Sequence, residues 1–139
     1  VVPGLQAMNT RKWQAKNDFL KSKSENFGLM LFTQGDLGLN EVMVDILEGF
    51  QGYFDWEYRV VNVDENPILA QIVGVTKIPQ VFLIATNNEF SPALVATGPT
   101  TALGLAETVY RVLKMELEGR SIKDFAEPDP TVIDFEMRK

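Results

Sequence analysis

The apolar residues of this chain fall into short runs and stripes whose spacing alternates between that of strands and that of helices. Phe27–Thr33 is a continuous apolar run, which predicts a strand buried on both faces. Gln80–Ala85 predicts another strand, and the β-branched and aromatic residues 56–63 predict a third. Residues 90–97 contain Pro92, which a strand tolerates only at the edge of a sheet.

Apolar stripes at helical spacing predict four helices between and around these strands. The first begins at Asn9 or Thr10, either of which can cap it, and we expect its Trp13 and Leu20 to pack on their own domain. The second has its apolar stripe between residues 39 and 50 and is expected to end at Gly49 and Gly52. The order of elements is therefore α, β, α, β, α, β, β, α.

The third and fourth helices are predicted from their end signals. Pro67 begins the third helix, because the first turn needs no N–H from it. The polar residues 64–66 are expected to cap this helix, since their spacing does not suit a metal. The Gly-Pro-Thr segment at 98–100 is expected to cap the fourth helix, which is expected to end at Gly119. The tail after it is acidic and broken by prolines, but apolar enough either to pack back on its domain, as we expect, or to dock on a partner.

Composition removes several classes of function. The 139 residues include no cysteine and no histidine, which excludes disulfides, thiolate metal sites and the usual general base near neutral pH. The net charge is −6, and residues 27–117 carry eleven acidic against four basic residues. An acidic body repels phosphate, so nucleic acid is not an expected partner. No apolar run reaches the roughly 20 residues that span a bilayer.

The pattern predicts an α/β fold with a mixed sheet, an antiparallel edge hairpin and helices on both faces. We divide the chain into an N-terminal helical extension (1–26), a central domain (27–117) and a C-terminal extension (118–139). The central domain resembles thioredoxin. The resemblance lies in Asn-Val-Asp-Glu-Asn-Pro at 62–67, in Gly-Val-Thr-Lys-Ile-Pro at 74–79 and in Gly98 after the edge strand. It implies a cis bond before Pro79, facing the loop that would hold the active site.

That loop departs from the thioredoxin pattern. The place of the Cys-x-x-Cys motif falls on Leu37 and Asn40, or on Asp36 and Leu39, depending on a shift of one residue. Disulfide exchange needs a thiolate, and neither alignment supplies sulfur. Thiol chemistry is therefore excluded, and we expect a protein that is not an enzyme and uses no metal and no cofactor.

Residues 28–36 also resemble the leading segment of TraF-like proteins of F-type conjugative transfer. Some members of that family lack cysteine, and the family assists assembly of the pilus and secretion channel in the periplasm. The resemblance implies a periplasmic binding or assembly module with a protein partner. Two alternatives stay open: a cytoplasmic thioredoxin-like adaptor, and a glutathione-type small-molecule binder whose only nearby basic residue is Lys77.

The expected partner surface combines the former active-site loop with the proline segment, where thioredoxin-like proteins pair with an extended substrate. For Asp36 the simpler interpretation is a charge that complements the helix dipole, and for Pro79 it is turn geometry alone. The expected surface consists of Gly35, Asp36, Leu37, Gly38, Leu39, Asn40, Ile78 and Pro79.

Overall fold

The computed structural model describes residues 11–35, 38–87 and 90–125. Their elements follow the predicted order. These are α1 (Arg11–Ser22), β1 (Phe27–Thr33), α2 (Gly38–Phe54), β2 (Glu57–Asn62), α3 (Pro67–Val73), β3 (Gln80–Ala85), β4 (Ala93–Thr97) and α4 (Ala102–Phe125). The caps predicted at Asn9 and Thr10 and most of the C-terminal tail lie outside the described residues.

The four strands form one mixed sheet in the order β2-β1-β3-β4. β1 pairs in parallel with β2, and α2 supplies the long crossover that parallel neighbours require. β1 pairs antiparallel with β3, and β3 forms an antiparallel hairpin with β4. The fold is therefore thioredoxin-like, with the predicted hairpin at one edge.

Three helices cover one face of the sheet and enclose the larger core. α1, α2 and α4 pack there around Leu31 and Val81 of the central strands, which are fully buried. The expectation for α1 is confirmed, since Trp13 and Leu20 are both buried in this core. The indole Nε1 of Trp56 donates to the backbone carbonyl of Leu20 at 2.7 Å, which ties the end of α1 to the start of β2.

The opposite face carries a smaller core under α3. Phe32, Val61 and Phe82 from three neighbouring strands pack there with Ala70 of the helix. The rings of Phe32 and Phe82 meet edge to face, with centroids 5.8 Å apart. Helices thus lie on both faces, as predicted, but unequally.

Two helices run past the glycines expected to end them. α2 continues through Gly52 to Phe54, and α4 continues through Gly119 to Phe125. A helical glycine costs only about 1 kcal/mol relative to alanine. Phe54 is fully buried, and burying a side chain of its size contributes about 1.5–3 kcal/mol, which outweighs that cost.

The capping predictions are also corrected. The side chain of Asn66 makes no cap to α3; its Nδ2 donates instead to the carbonyl of Asn62 at 3.3 Å. The cap of α4 is Thr101, whose Oγ1 accepts the N–H of Gly104 at 2.9 Å, one residue beyond the predicted segment.

The domain boundaries at 26/27 and 117/118 stay predictions. No helix in the described part of the chain is long and apolar enough to cross a membrane.

Candidate functional site

The two halves of the expected partner surface meet at one edge of the sheet. Phe32 near the end of β1 pairs with Gln80 at the start of β3, so the antiparallel register carries the residues after Thr33 past the segment before Gln80. Thr33 pairs in parallel with Asn62, which brings the end of β2 to the same edge. The loop from Gln34 and the Ile78–Pro79 segment therefore lie side by side.

The Ile78–Pro79 peptide bond is cis, as the resemblance implied. The ring of Pro79 is buried, and its carbonyl accepts the N–H of Gly98 at 2.9 Å. Gly98 has a φ of 75°, a left-handed conformation that glycine adopts without strain. Pro79 therefore lies beneath the surface at this edge, and the residues that precede it form the exposed surface.

Gln80 fixes the segment before it, a role that the sequence analysis missed. It is only 2% exposed. Its Oε1 accepts the N–H of Thr76 at 2.9 Å, and its Nε2 donates to Thr76 Oγ1 at 3.2 Å and to Thr97 Oγ1 at 3.1 Å. The available signal was a glutamine at the start of an apolar strand, since a buried amide needs partners.

Ile78 presents the free backbone of this segment. Its side chain is half-buried against the smaller core, while Thr76 and Lys77 are exposed. Within residues 11–35, 38–87 and 90–125, no hydrogen bond occupies the N–H or the C=O of Ile78. Both groups can therefore pair with an extended chain laid along the edge.

The N-terminus of α2 follows the loop after β1. Gly38 is exposed, Leu39 and Asn40 are half-buried, and Asn40 Nδ2 donates to the carbonyl of Gly35 at 3.4 Å. Gly35 has a φ of 68°. The first N–H groups of a helix have no partner within it and carry partial positive charge, which suits a carbonyl or carboxylate of a partner. Asp36 and Leu37 lie outside the described residues.

Polar contacts close the site on the β2 side. Gln34 Nε2 donates to Asp64 Oδ1 at 2.9 Å, and the N–H of Asp64 donates to Asn62 Oδ1 at 2.8 Å. Asp64 is thus held within a bridge between the two strand ends. Among the described residues, no three carboxylates gather as metal ligands would.

An open cavity of about 440 Å³ lies next to Ile78, between the end of β2, α3 and the segment before the proline. Its walls are mainly apolar, with Lys77 as the one cation that lines it. An apolar side chain of a bound segment fits such a cavity. The lining residues are Val63, Pro67, Ala70, Gln71, Val75, Thr76, Lys77 and Ile78.

Comparison with solved structures confirms the fold. The crystal structure of chloroplastic thioredoxin z matches 72% of this chain and 89% of its own, with a TM-score of 0.54 at 17% identity. The J-Trx1 fragment of ERdj5 matches 77% of this chain and 50% of its own, with a TM-score of 0.52 at 14% identity. No curated protein matches by sequence. The family described as "TraF: F plasmid transfer operon protein" matches residues 2–110.

Proposed function

Since this chain belongs to the TraF family of F plasmid transfer operon proteins, we propose that it is a thioredoxin-like binding module of a conjugative transfer apparatus and has no redox activity. One observation carries the proposal. The thioredoxin edge is present, with its cis-proline and the free backbone of Ile78, in a chain that contains no cysteine. A surface that can still bind an extended segment has no thiol with which to react.

The proposed mode of binding uses three features of the site. The N–H and C=O of Ile78 pair with the backbone of an extended segment of a partner protein. An apolar side chain of that segment enters the cavity beside Ile78, and the first N–H groups of α2, at Gly38 and Leu39, face its carbonyls. The exposed ammonium group of Lys77 favours an acidic residue in the same segment.

We place this module in the periplasm as part of pilus or channel assembly, on the strength of the family alone. Fractionation of cells that express the natural gene tests the compartment. Recovery with periplasmic markers is the expected result. Recovery with cytoplasmic markers would favour the alternative, a cytoplasmic adaptor on the same fold.

The binding surface is tested by placing a bulky side chain at Gly38. A Cβ built there meets nothing within 4 Å, so Gly38→Trp covers the site without disturbing the core. Gly52→Trp is the matched control, because Gly52 is on the same helix and has the same open surroundings. In donor cells whose own copy is deleted, Gly38→Trp is expected to lower transfer frequency at least tenfold, while Gly52→Trp restores the normal frequency.

Full transfer by a folded Gly38→Trp protein would show that this edge does not bind the partner.

The proposed absence of redox activity is tested separately by the reduction of insulin disulfides. The purified protein is expected to add nothing to the rate with dithiothreitol alone, and a measurable acceleration would contradict the proposal.

The cavity beside Ile78 favours a second candidate, a small-molecule binder of the glutathione type. Its volume suits a small ligand, and Lys77 offers a donor to a carboxylate. Thermal unfolding with millimolar glutathione distinguishes the two candidates. A rise of several degrees that disappears in Lys77→Ala would favour the small molecule, and an unchanged Tm favours the protein partner.

A further inference from the structure

The outer edge of β2 has an unpaired row of backbone groups. Among the described residues, no strand lies beyond β2 in the sheet. The N–H of Val63 donates to the carbonyl of Thr33 at 2.9 Å, so Val61, two residues earlier, also turns its backbone groups toward β1. The alternate residues Tyr58 and Val60 therefore direct their N–H and C=O groups away from the sheet.

This edge lacks the backbone features that protect the opposite one. At the other edge, Pro92 directly precedes β4, and the pairing of β4 with β3 is irregular next to Val81 and Phe82. β2 contains no proline and pairs regularly with β1 along all six of its residues. The side chain of Val60 is 45% exposed, so the edge also offers apolar area to an added strand.

The charge beside this edge is negative on the side of α2. Tyr58 and Val60 point to the face of the sheet on which α2 packs, because they pair with Leu29 and Leu31 of the larger core. The outward stripe of α2 carries three exposed carboxylates. These belong to Glu41, Asp45 and Glu48. α2, which carries these carboxylates, packs against β2, the strand of Tyr58. Burial raises the pKa of Tyr58, and the charges of Glu48 and then Asp45 raise it further.

We propose that the outer edge of β2 binds an extended segment of a partner protein by strand addition, and that this segment carries lysine or arginine on the side facing α2. Its backbone pairs with Tyr58 and Val60, and its basic side chains lie beside Asp45 and Glu48. A second copy of this chain is a poorer occupant, because pairing β2 with β2 would bring the two acidic stripes together. The surface uses none of the residues assigned to the Ile78 site and does not depend on the proposed function.

The test uses two fluorescein-labelled peptides of ten residues, one alternating lysine with valine and the other alternating glutamate with valine. Binding to the whole chain is followed by fluorescence anisotropy, and amide signals by NMR. The lysine peptide is expected to bind at least tenfold more tightly than the glutamate peptide and to shift the amides of Tyr58 and Val60. Raising the ionic strength is expected to weaken its binding.

Charge reversal on α2 provides the decisive variant. Asp45→Lys with Glu48→Lys is expected to weaken binding of the lysine peptide at least tenfold. Both sites are exposed on a helix, so the fold is retained. The matched control is Asp18→Lys with Glu25→Lys, which changes the net charge equally at exposed sites off α2 and β2 and is expected to keep affinity within twofold.

Five results would overturn the proposal. Equal binding of the two peptides would show that charge does not select the bound segment. Equal loss in the control variant would reduce the effect to net charge. Peptide-induced shifts confined to residues outside β2 would place binding elsewhere. Binding that requires deletion of residues 1–8 would identify the occupant as the chain's own N-terminal segment. Concentration-dependent dimerisation that shifts Tyr58 and Val60 without peptide would identify it as a second copy.

Discussion

Gly98 donates its backbone N–H to the carbonyl of Pro79 across 2.9 Å, joining the end of β4 to the turn that begins β3. The contact depends on the left-handed backbone of Gly98, with its φ of 75°. No neighbouring atom lies within 4 Å of a Cβ built there, so space does not restrict this position. The requirement for glycine is therefore one of backbone conformation.

Gly98→Ala is expected to lower the free energy of unfolding by about 1–2 kcal/mol, because alanine is strained at this φ. Gly52→Ala is the matched control: Gly52 also has open surroundings but lies within α2, where alanine is preferred. It should raise stability by about 0.5–1 kcal/mol. Urea unfolding of both variants checks the prediction, and equal effects would contradict it.

Gln80→Met keeps the volume of the side chain but removes its three hydrogen bonds to Thr76 and Thr97. We expect a loss of about 1–3 kcal/mol, since buried polar groups lose their partners. Hydrogen exchange of the Thr76 amide should become faster. Gln51→Met, at an exposed position of α2, is the control and should change neither quantity. An unchanged Thr76 amide would show that Gln80 does not hold this segment.

Trp56→Phe removes the 2.7 Å hydrogen bond to the carbonyl of Leu20 and leaves a small void. A loss of about 2 kcal/mol is expected. Because that bond ties α1 to β2, amide exchange in α1 should rise more than in the sheet. Phe54→Leu opens a void in the same core without breaking this bond. It should raise amide exchange without raising it more in α1 than in the sheet. The same pattern of amide exchange in both variants would show that this hydrogen bond does not hold α1 to β2.

Tyr58 is expected to titrate above its ordinary pKa of 10.0, because burial and then the charges of Glu48 and Asp45 raise it. The folded protein thus favours the neutral phenol. The contribution of Tyr58 to the free energy of unfolding is therefore complete below pH 10.0 and is lost as the pH rises through the raised pKa. Ultraviolet titration of the wild type and Tyr58→Phe isolates this group among the three tyrosines.

Asp45→Asn with Glu48→Gln should lower the pKa of Tyr58 toward 10.0 without reaching it, since burial persists. Asp18→Asn with Glu25→Gln is the control and should leave the titration of Tyr58 unchanged. If both pairs shift the curve equally, the carboxylates of α2 do not act locally on Tyr58.

Local pattern was sufficient to predict the order of elements and two strands to the residue. β1 was predicted and observed at Phe27–Thr33 and β3 at Gln80–Ala85, because each run is long enough only for a strand. The ends of α2 and α4 could not be read locally. Glycine penalties are small, and the burial of Phe54 that offsets one of them depends on the tertiary fold.

The site was predictable as a region but not in its details. The resemblance to thioredoxin implied the two segments, while their proximity depends on the register that pairs Phe32 with Gln80, a long-range relation. The bonds of Gln80 and the open edge of β2 arise from the same assembly of strands. The parts of the expected surface at Asp36 and Leu37 stay predictions.

The unequal covering of the two faces of the sheet has a consequence for local unfolding of this protein. α3, seven residues long, is the only described helix over the smaller core, whereas three helices clamp the other face. The face under α3 should unfold first, in a partial unfolding that leaves the larger core intact. The amides of α3 should therefore exchange faster than those of the helices over the larger core.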